Sequence, residues 1–169
     1  MRVTIFIILF LMYLANRSFA GNIGKYIPLP VQEKIVKVFN ENKIVYLVTE
    51  HSILFENAGY FTSKFYSENT ITSAQYSNGK FLIGTGNELF WVDNLTYSKE
   101  TIELPGNTRP QVNSIFSDKQ NRLWICTVDG VYIYQNGSYE NITTEKGIIS
   151  GKVLDNGNVC IFGKSNVLM

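Results

Sequence analysis

Four segments of this chain align without gaps across two apolar runs and the corner between them: VYLVTEHSILFE (45–56), FLIGTGNELFWV (81–92), LWICTVDGVYIY (123–134) and VCIFGKSNVLM (159–169). Tyr46, Leu82, Trp124 and Cys160 take equivalent places, at steps of 36, 42 and 36 residues. A unit of that size cannot bury its own apolar face, so units with such a period stack on one another or close around an axis. The flanks repeat too. IVKVFNENK, ITSAQYSNGK, VNSIFSDKQNR and ISGKVLDNGN each supply a first strand and a polar turn ahead of the aligned segment. After three of the segments comes a more polar strand: YFTSKFYS (60–67), SKETIEL (98–104) and SYENIT (138–143).

Four consecutive antiparallel strands per unit describe one propeller blade. The sequence therefore predicts an all-β chain, a β-propeller of four-stranded antiparallel blades, with about four blades at 35–67, 71–104, 112–143 and 149–169. LWICT and FLIGT are continuous apolar runs, as expected of middle strands covered on both faces. SKETIEL carries the lysine and glutamates of an edge that faces water. The Asp129-Gly130 pair supplies the strong corner signal, because both residue types tolerate the positive φ of a two-residue hairpin. KYIPLP (25–30) resembles ETIELP (100–105) and reads as a leading outer strand ahead of the first blade. Two architectures follow. Either four blades close on themselves with residues 25–30 completing the fourth, or the chain is an incomplete part of a larger ring; the apolar ending at Val167-Leu168-Met169 favours the second.

Residues 1–20, MRVTIFIILFLMYLANRSFA, place Arg2 ahead of an apolar run from Val3 to Leu14 and end on Ser18 and Ala20, the pattern of a cleaved secretory signal peptide. The expected product, residues 21–169, is exported to the periplasm or beyond the cell. Its charge is nearly balanced. Fifteen lysines and arginines face 14 acids in the whole chain, and removal of Arg2 and Arg17 leaves it near −1. That balance gives no electrostatic case for nucleic acid or an anionic membrane.

The third repeat, VNSIFSDKQNRLWICTVDGVYIYQNGSYENIT, resembles the two-component regulator propeller repeat. Val112, Ser114, Ile115, Asp118, Leu123, Trp124, Ile125, Thr127, Gly130 and Tyr134 fall on its pattern, while Cys126 replaces a glycine and Asn121 stands near another. The second repeat keeps Leu82-Ile83-Gly84-Thr85 but lacks the tryptophan, and the first and fourth are more divergent. The resemblance implies a seven-bladed ring serving as the exported sensor part of Bacteroidetes-type hybrid histidine kinases and related regulators. It further implies a glycan-related ligand, with membrane tethering and signalling output in parts outside this chain. The rival reading is a periplasmic or surface scaffold that grips an envelope protein, and a lyase-like propeller enzyme stands third.

Catalysis finds little footing in the sequence. His51 is the sole histidine and sits at a hairpin corner, and no motif sets two carboxylates across a cleft. No cofactor or metal is expected: Asp155-Asn156-Gly157-Asn158 lacks the remaining ligands of a calcium loop and reads as a hairpin turn. Asn94, Asn136 and Asn141 form glycosylation sequons but read first as turn residues. Cys126 and Cys160 occupy like faces of their blades, which do not meet, so both are expected as buried free thiols. Trp91, Tyr132 and Tyr134 read as packing between blades. Should a ligand bind, the loops at one rim would hold it. Among them the connection Asn107-Thr108-Arg109-Pro110 is the most polar, which makes Arg109 the candidate contact for an oligosaccharide.

Overall fold

The computed structural model describes residues 27, 29–164, 167 and 168, the last by its backbone. The expected signal peptide lies outside them. Blade I runs through β1 (Ile35–Glu41), β2 (Ile44–Thr49), β3 (Ser52–Asn57) and β4 (Tyr60–Tyr66). Blade II holds β5 (Ile71–Ser77), β6 (Lys80–Thr85), β7 (Leu89–Asp93) and β8 (Lys99–Ile102). Blade III holds β9 (Val112–Ser117), β10 (Leu123–Thr127), β11 (Gly130–Gln135) and β12 (Ser138–Thr143). Blade IV holds β13 (Ile148–Val153), β14 (Val159–Gly163) and β15 (Val167–Leu168). Every pairing is between sequential antiparallel neighbours, and among the described residues there is no helix.

Alternation along the second strand explains how blades stick together. In β10, Leu123 and Ile125 face blade II, while Trp124 and Cys126 face blade IV. In β6, Phe81 and Ile83 face blade I, while Leu82 faces blade III. All five residues of β10 are buried, as are Phe81 to Thr85, because both faces of these strands are covered. The outermost strands grade to Lys99, Glu100 and Thr101, which are exposed. Three cores result, between blades I and II, II and III, and III and IV. Among the described residues no core cluster joins blade IV to blade I.

The innermost strands β1, β5, β9 and β13 stand side by side and are tied by side chains reaching across. Thr72 Oγ1 donates to Val112 O at 2.6 Å, Ile115 N donates to Ser73 Oγ at 2.8 Å, and Asn113 Nδ2 donates to Ile148 O at 2.6 Å. The backbone adds Ile71 N to Glu50 O at 2.7 Å and Gly147 N to Val128 O at 2.8 Å. Close approach also dictates one glycine of the repeat. A Cβ on Gly84 would lie 2.4 Å from Val112 Cγ1 in the next blade. Gly84→Ala is therefore expected to lower stability by about 1–3 kcal/mol through overpacking, read as a lower urea midpoint, with Val112→Ala in the same chain restoring part of the loss.

One expectation needs correction. The Asp129-Gly130 corner contains no left-handed residue among Val128 and Asp129; it is held by Thr127 Oγ1, which donates to Gly130 O at 3.0 Å and accepts from Asp129 N at 3.2 Å. Thr49 and Thr85 do the same work at Ser52 and Glu88. Gly130 itself has a φ of 156°, and a Cβ there would meet Thr143 O at 2.3 Å. The hairpins with positive φ at both central residues lie at the opposite end of the blades, at Asn42-Lys43, Ala58-Gly59, Asn78-Gly79 and Asn136-Gly137. Of residues 25–30, residues 25, 26 and 28 lie outside the described residues; 27, 29 and 30 are in no strand, and among the described residues blade IV pairs β13, β14 and β15. Ile27, Leu29 and Val31 lie on the face of blade I turned away from blade II, against Leu47, Leu54 and Phe61.

Candidate functional site

The connections between blades and the threonine-held corners share one end of the molecule, because each fourth strand ends where the next first strand begins. At that end a cavity of about 570 Å³ opens among blades II, III and IV. Its lining comes from three sets of equivalent places: Thr72, Asn113 and Ile149 as second residues of first strands, Gln111 and Gly147 as the residues before those strands, and Val128 and Lys164 at the corners. Ile148 completes it. Thr72 and Asn113 spend their side chains on the neighbouring blade's backbone, which fixes the wall. The Gln111 amide and the Lys164 ammonium are the polar groups left for a visitor, while Val128 and Ile149 supply apolar surface. The stem of Lys164 runs over Gly147, 3.6 Å from where a Cβ would stand, so that glycine makes room for it.

No carboxylate or imidazole belongs to this lining, so it offers hydrogen bonds, a positive charge and apolar contact but no proton-transfer pair. His51 lies at the corner of blade I, its ring stacked on Tyr66 and its Nδ1 3.0 Å from Ser67 O. A neutral imidazole bonded to a carbonyl carries its proton on Nδ1. Among the described residues no serine or cysteine side chain hydrogen-bonds to that ring, and no group of three or more His, Cys, Asp or Glu is placed to hold a metal. The turn at Asp155-Asn156-Gly157-Asn158 is closed by Gly157 N to Leu154 O and Leu154 N to Asn158 O, both 2.8 Å.

Arg109 is exposed at the same end but does not line the cavity. Its backbone N donates to Asn107 Oδ1 at 3.2 Å, and Leu104 and Asn107 pin the loop with paired backbone bonds of 3.1 and 2.8 Å. The residues that do line the cavity follow this loop or occupy equivalent places in other repeats. Aligning the four repeats and asking which columns carry Gln, Asn, Thr and Lys at strand starts and corners would have found them.

The aromatics belong to the cores. Trp91 Nε1 donates to Tyr139 OH at 3.0 Å across blades II and III, with Tyr134 packed at ring-centroid distances of 5.5 Å from Trp91 and 4.7 Å from Tyr139. Tyr132 is buried in the same core. Cys126 and Cys160 are both buried and free. Cys126 faces Ile148 of blade IV, whereas Cys160 holds the place of Trp124 on the far face of blade IV. Burial pushes the Cys126 thiol up to about 12, so little thiolate exists at neutral pH. Of the sequon residues, Asn94 donates from Nδ2 to Tyr76 OH at 2.8 Å, and Asn136 stands exposed at a left-handed turn.

Residues 106–129 match the model of the two component regulator propeller. That stretch holds Val112, Ser114, Ile115, Asp118, Trp124 and Thr127 of the repeat pattern. Among solved structures, the extracellular domain of the putative one component system BT4673 from B. thetaiotaomicron superposes with a TM-score of 0.59 at 18% identity, over 79% of this chain and 21% of that one. The extracellular domain of the putative hybrid two component system BT3049 from the same organism gives 0.61 at 20%, over 77% and 19%. The computationally designed Ika4 protein gives 0.63 at 16%, over 86% and 97%. The chain thus spans about a fifth of the length of the two bacterial domains. At these identities the likeness establishes the β-propeller fold. No curated protein matches the chain.

Proposed function

We propose that this chain is part of an exported, non-catalytic propeller that senses a ligand as the input module of a two-component regulator, and that the ligand is an oligosaccharide. The observation that carries the reading is the rim cavity, whose free groups are an amide and an ammonium set beside apolar walls. Sugars present hydroxyls to such donors and acceptors and C–H faces to such walls. The repeat match over 106–129 and the sensor domains among the structural neighbours support the same reading. In this view the four blades belong to a larger ring, seven in the family they resemble.

Calorimetry against a panel of neutral and acidic oligosaccharides tests it. Saturable heat with one of them is expected, and Lys164→Ala or Gln111→Ala should weaken that binding about tenfold or more, the worth of one hydrogen bond to a charged or polar partner in a partly closed site. Heat that is unchanged in both variants removes the cavity from the reading. No heat with any glycan, together with saturable binding to a purified envelope protein, would favour the scaffold.

A further inference from the structure

The rim cavity carries an uncompensated charge. Of the residues that line it only Lys164 is ionisable, and among the described residues its ammonium makes no ion pair or hydrogen bond. The acids nearest to the lining in sequence, Asp129 and Glu145, supply no part of the wall, and a further cation, Lys146, stands between Glu145 and Gly147. Lys80 and Lys99 on blade II, by contrast, are each paired with a glutamate, at 3.7 and 3.0 Å.

The charge is also held in place. Lys164 N donates to Gly147 O at 3.1 Å, and the stem crosses Gly147 with Cγ and Cδ 3.6 Å from where a Cβ would stand. A stem fixed over the backbone has less rotamer freedom to lose on meeting a ligand.

The remaining lining suits more than a bare anion. Asn113 uses Nδ2 on Ile148 O at 2.6 Å, which leaves Oδ1 as an acceptor, and the Gln111 amide offers both a donor and an acceptor. A sulfate ion brings no hydrogen for either oxygen. A sugar ring does, and its C–H faces suit Val128 and Ile149, the latter 51% exposed. The volume, about 570 Å³, falls in the range of small-molecule sites, ~300–1,000 Å³.

We propose, on the footing of the oligosaccharide reading, that this cavity selects acidic sugars: a carboxylate or sulfate ester on the ligand pairs with Lys164, while ring hydroxyls bond to Gln111 and Asn113 Oδ1. An ammonium taken out of water without a counter-charge is costly, so a neutral sugar that closes over Lys164 forfeits part of what its hydroxyls gain. An acidic sugar brings the counter-charge, and the resulting pair is a charge-assisted hydrogen bond.

The test is an NMR chemical-shift titration of the full chain with matched pairs: glucuronate against glucose, galacturonate against galactose, and the sulfate ester of N-acetylglucosamine against N-acetylglucosamine. The acidic member should bind about tenfold tighter than its neutral partner. Its shifts should fall on the backbone amides of Val128, Gly147 and Lys164 and on the Gln111 side chain, and the pair with the larger ratio tells carboxylate from sulfate. Lys164→Met should bring each ratio close to one, Lys164→Arg should keep it, and added salt should shrink it in the parent. Equal binding of both members at these amides overturns the proposal and leaves the oligosaccharide reading standing. A preference that survives Lys164→Met overturns it as well. Inorganic sulfate that moves the same amides as strongly as the sugar acids, or no shift there with any of the sugars, overturns the cavity as a sugar site altogether.

Discussion

Phe81→Ala is expected to cost about 3–5 kcal/mol, a large part of what holds the blades together. The side chain is wholly buried between blades I and II. Its ring stands edge-on to three others, with centroid distances of 5.8 Å to Phe39, 5.1 Å to Tyr46 and 4.9 Å to Tyr76 at interplanar angles of 60°, 68° and 60°. Two of those rings belong to blade I and one to blade II, so deletion empties the contact itself rather than the inside of either sheet. Surrounding strands can collapse into the space only by shifting a whole blade. Urea denaturation should show the loss as a lower midpoint, and Phe81→Leu should recover more than half of it because volume is largely kept. A loss below about 1 kcal/mol would mean that each blade stands on its own, against the expectation for so thin a sheet.

The order of strands and their facing were legible because they follow from period and alternation. Once Tyr46, Leu82, Trp124 and Cys160 are placed in one column, the parity of a strand assigns Leu123 to one neighbour and Trp124 to the other. The corner at Asp129-Gly130 misled for a physical reason. Asp-Gly favours a left-handed turn in isolation, but Thr127 offers a hydroxyl that satisfies Asp129 N and Gly130 O at once, and the corner forms with neither Val128 nor Asp129 at positive φ. The Leu-Pro ending shared by KYIPLP and ETIELP was equally local. It says that both segments stop an extended run, not which sheet they touch, and burial of Leu47 and Leu54 decides that.

The cavity was less legible than the fold. Its lining residues are scattered between Thr72 and Lys164 over three blades and share only their place in the repeat. Arg109 drew notice by being the charged residue of a polar loop, while Lys164 stands in a degenerate repeat at a corner whose equivalents are Glu50, Gly86 and Val128. Charge at a column that varies this freely becomes meaningful only when the blades bring Gln111 and Lys164 around one opening.

Asp118→Ala is expected to cost about 2–4 kcal/mol, because it strands donors that have no other partner. The side chain is buried at the turn between β9 and β10. Its Oδ1 accepts from the backbone N of Gln120 at 2.9 Å and of Arg122 at 3.0 Å, and Oδ2 accepts from Arg122 Nε at 2.6 Å and Trp124 Nε1 at 2.9 Å. Tyr46, Leu82 and Cys160 replace the tryptophan in the other repeats, so only blade III has an indole for such an acid to serve. Burial pushes the Asp118 carboxyl up, but the bonds donated by Trp124 and Arg122 outweigh it and hold the group below the usual carboxylate range. A folded value below the unfolded one, which is about 3.9, gives stability fully present above that pH and lost as pH falls through the folded value. Asp118→Asn keeps one acceptor but turns an NH2 toward two donors, so at pH 7 it should lose nearly as much as alanine. The gap between parent and Asp118→Asn, measured by urea denaturation, should then narrow as pH falls below about 4. A gap of constant size across that range would show that shape, and not the carboxylate's charge, holds the turn.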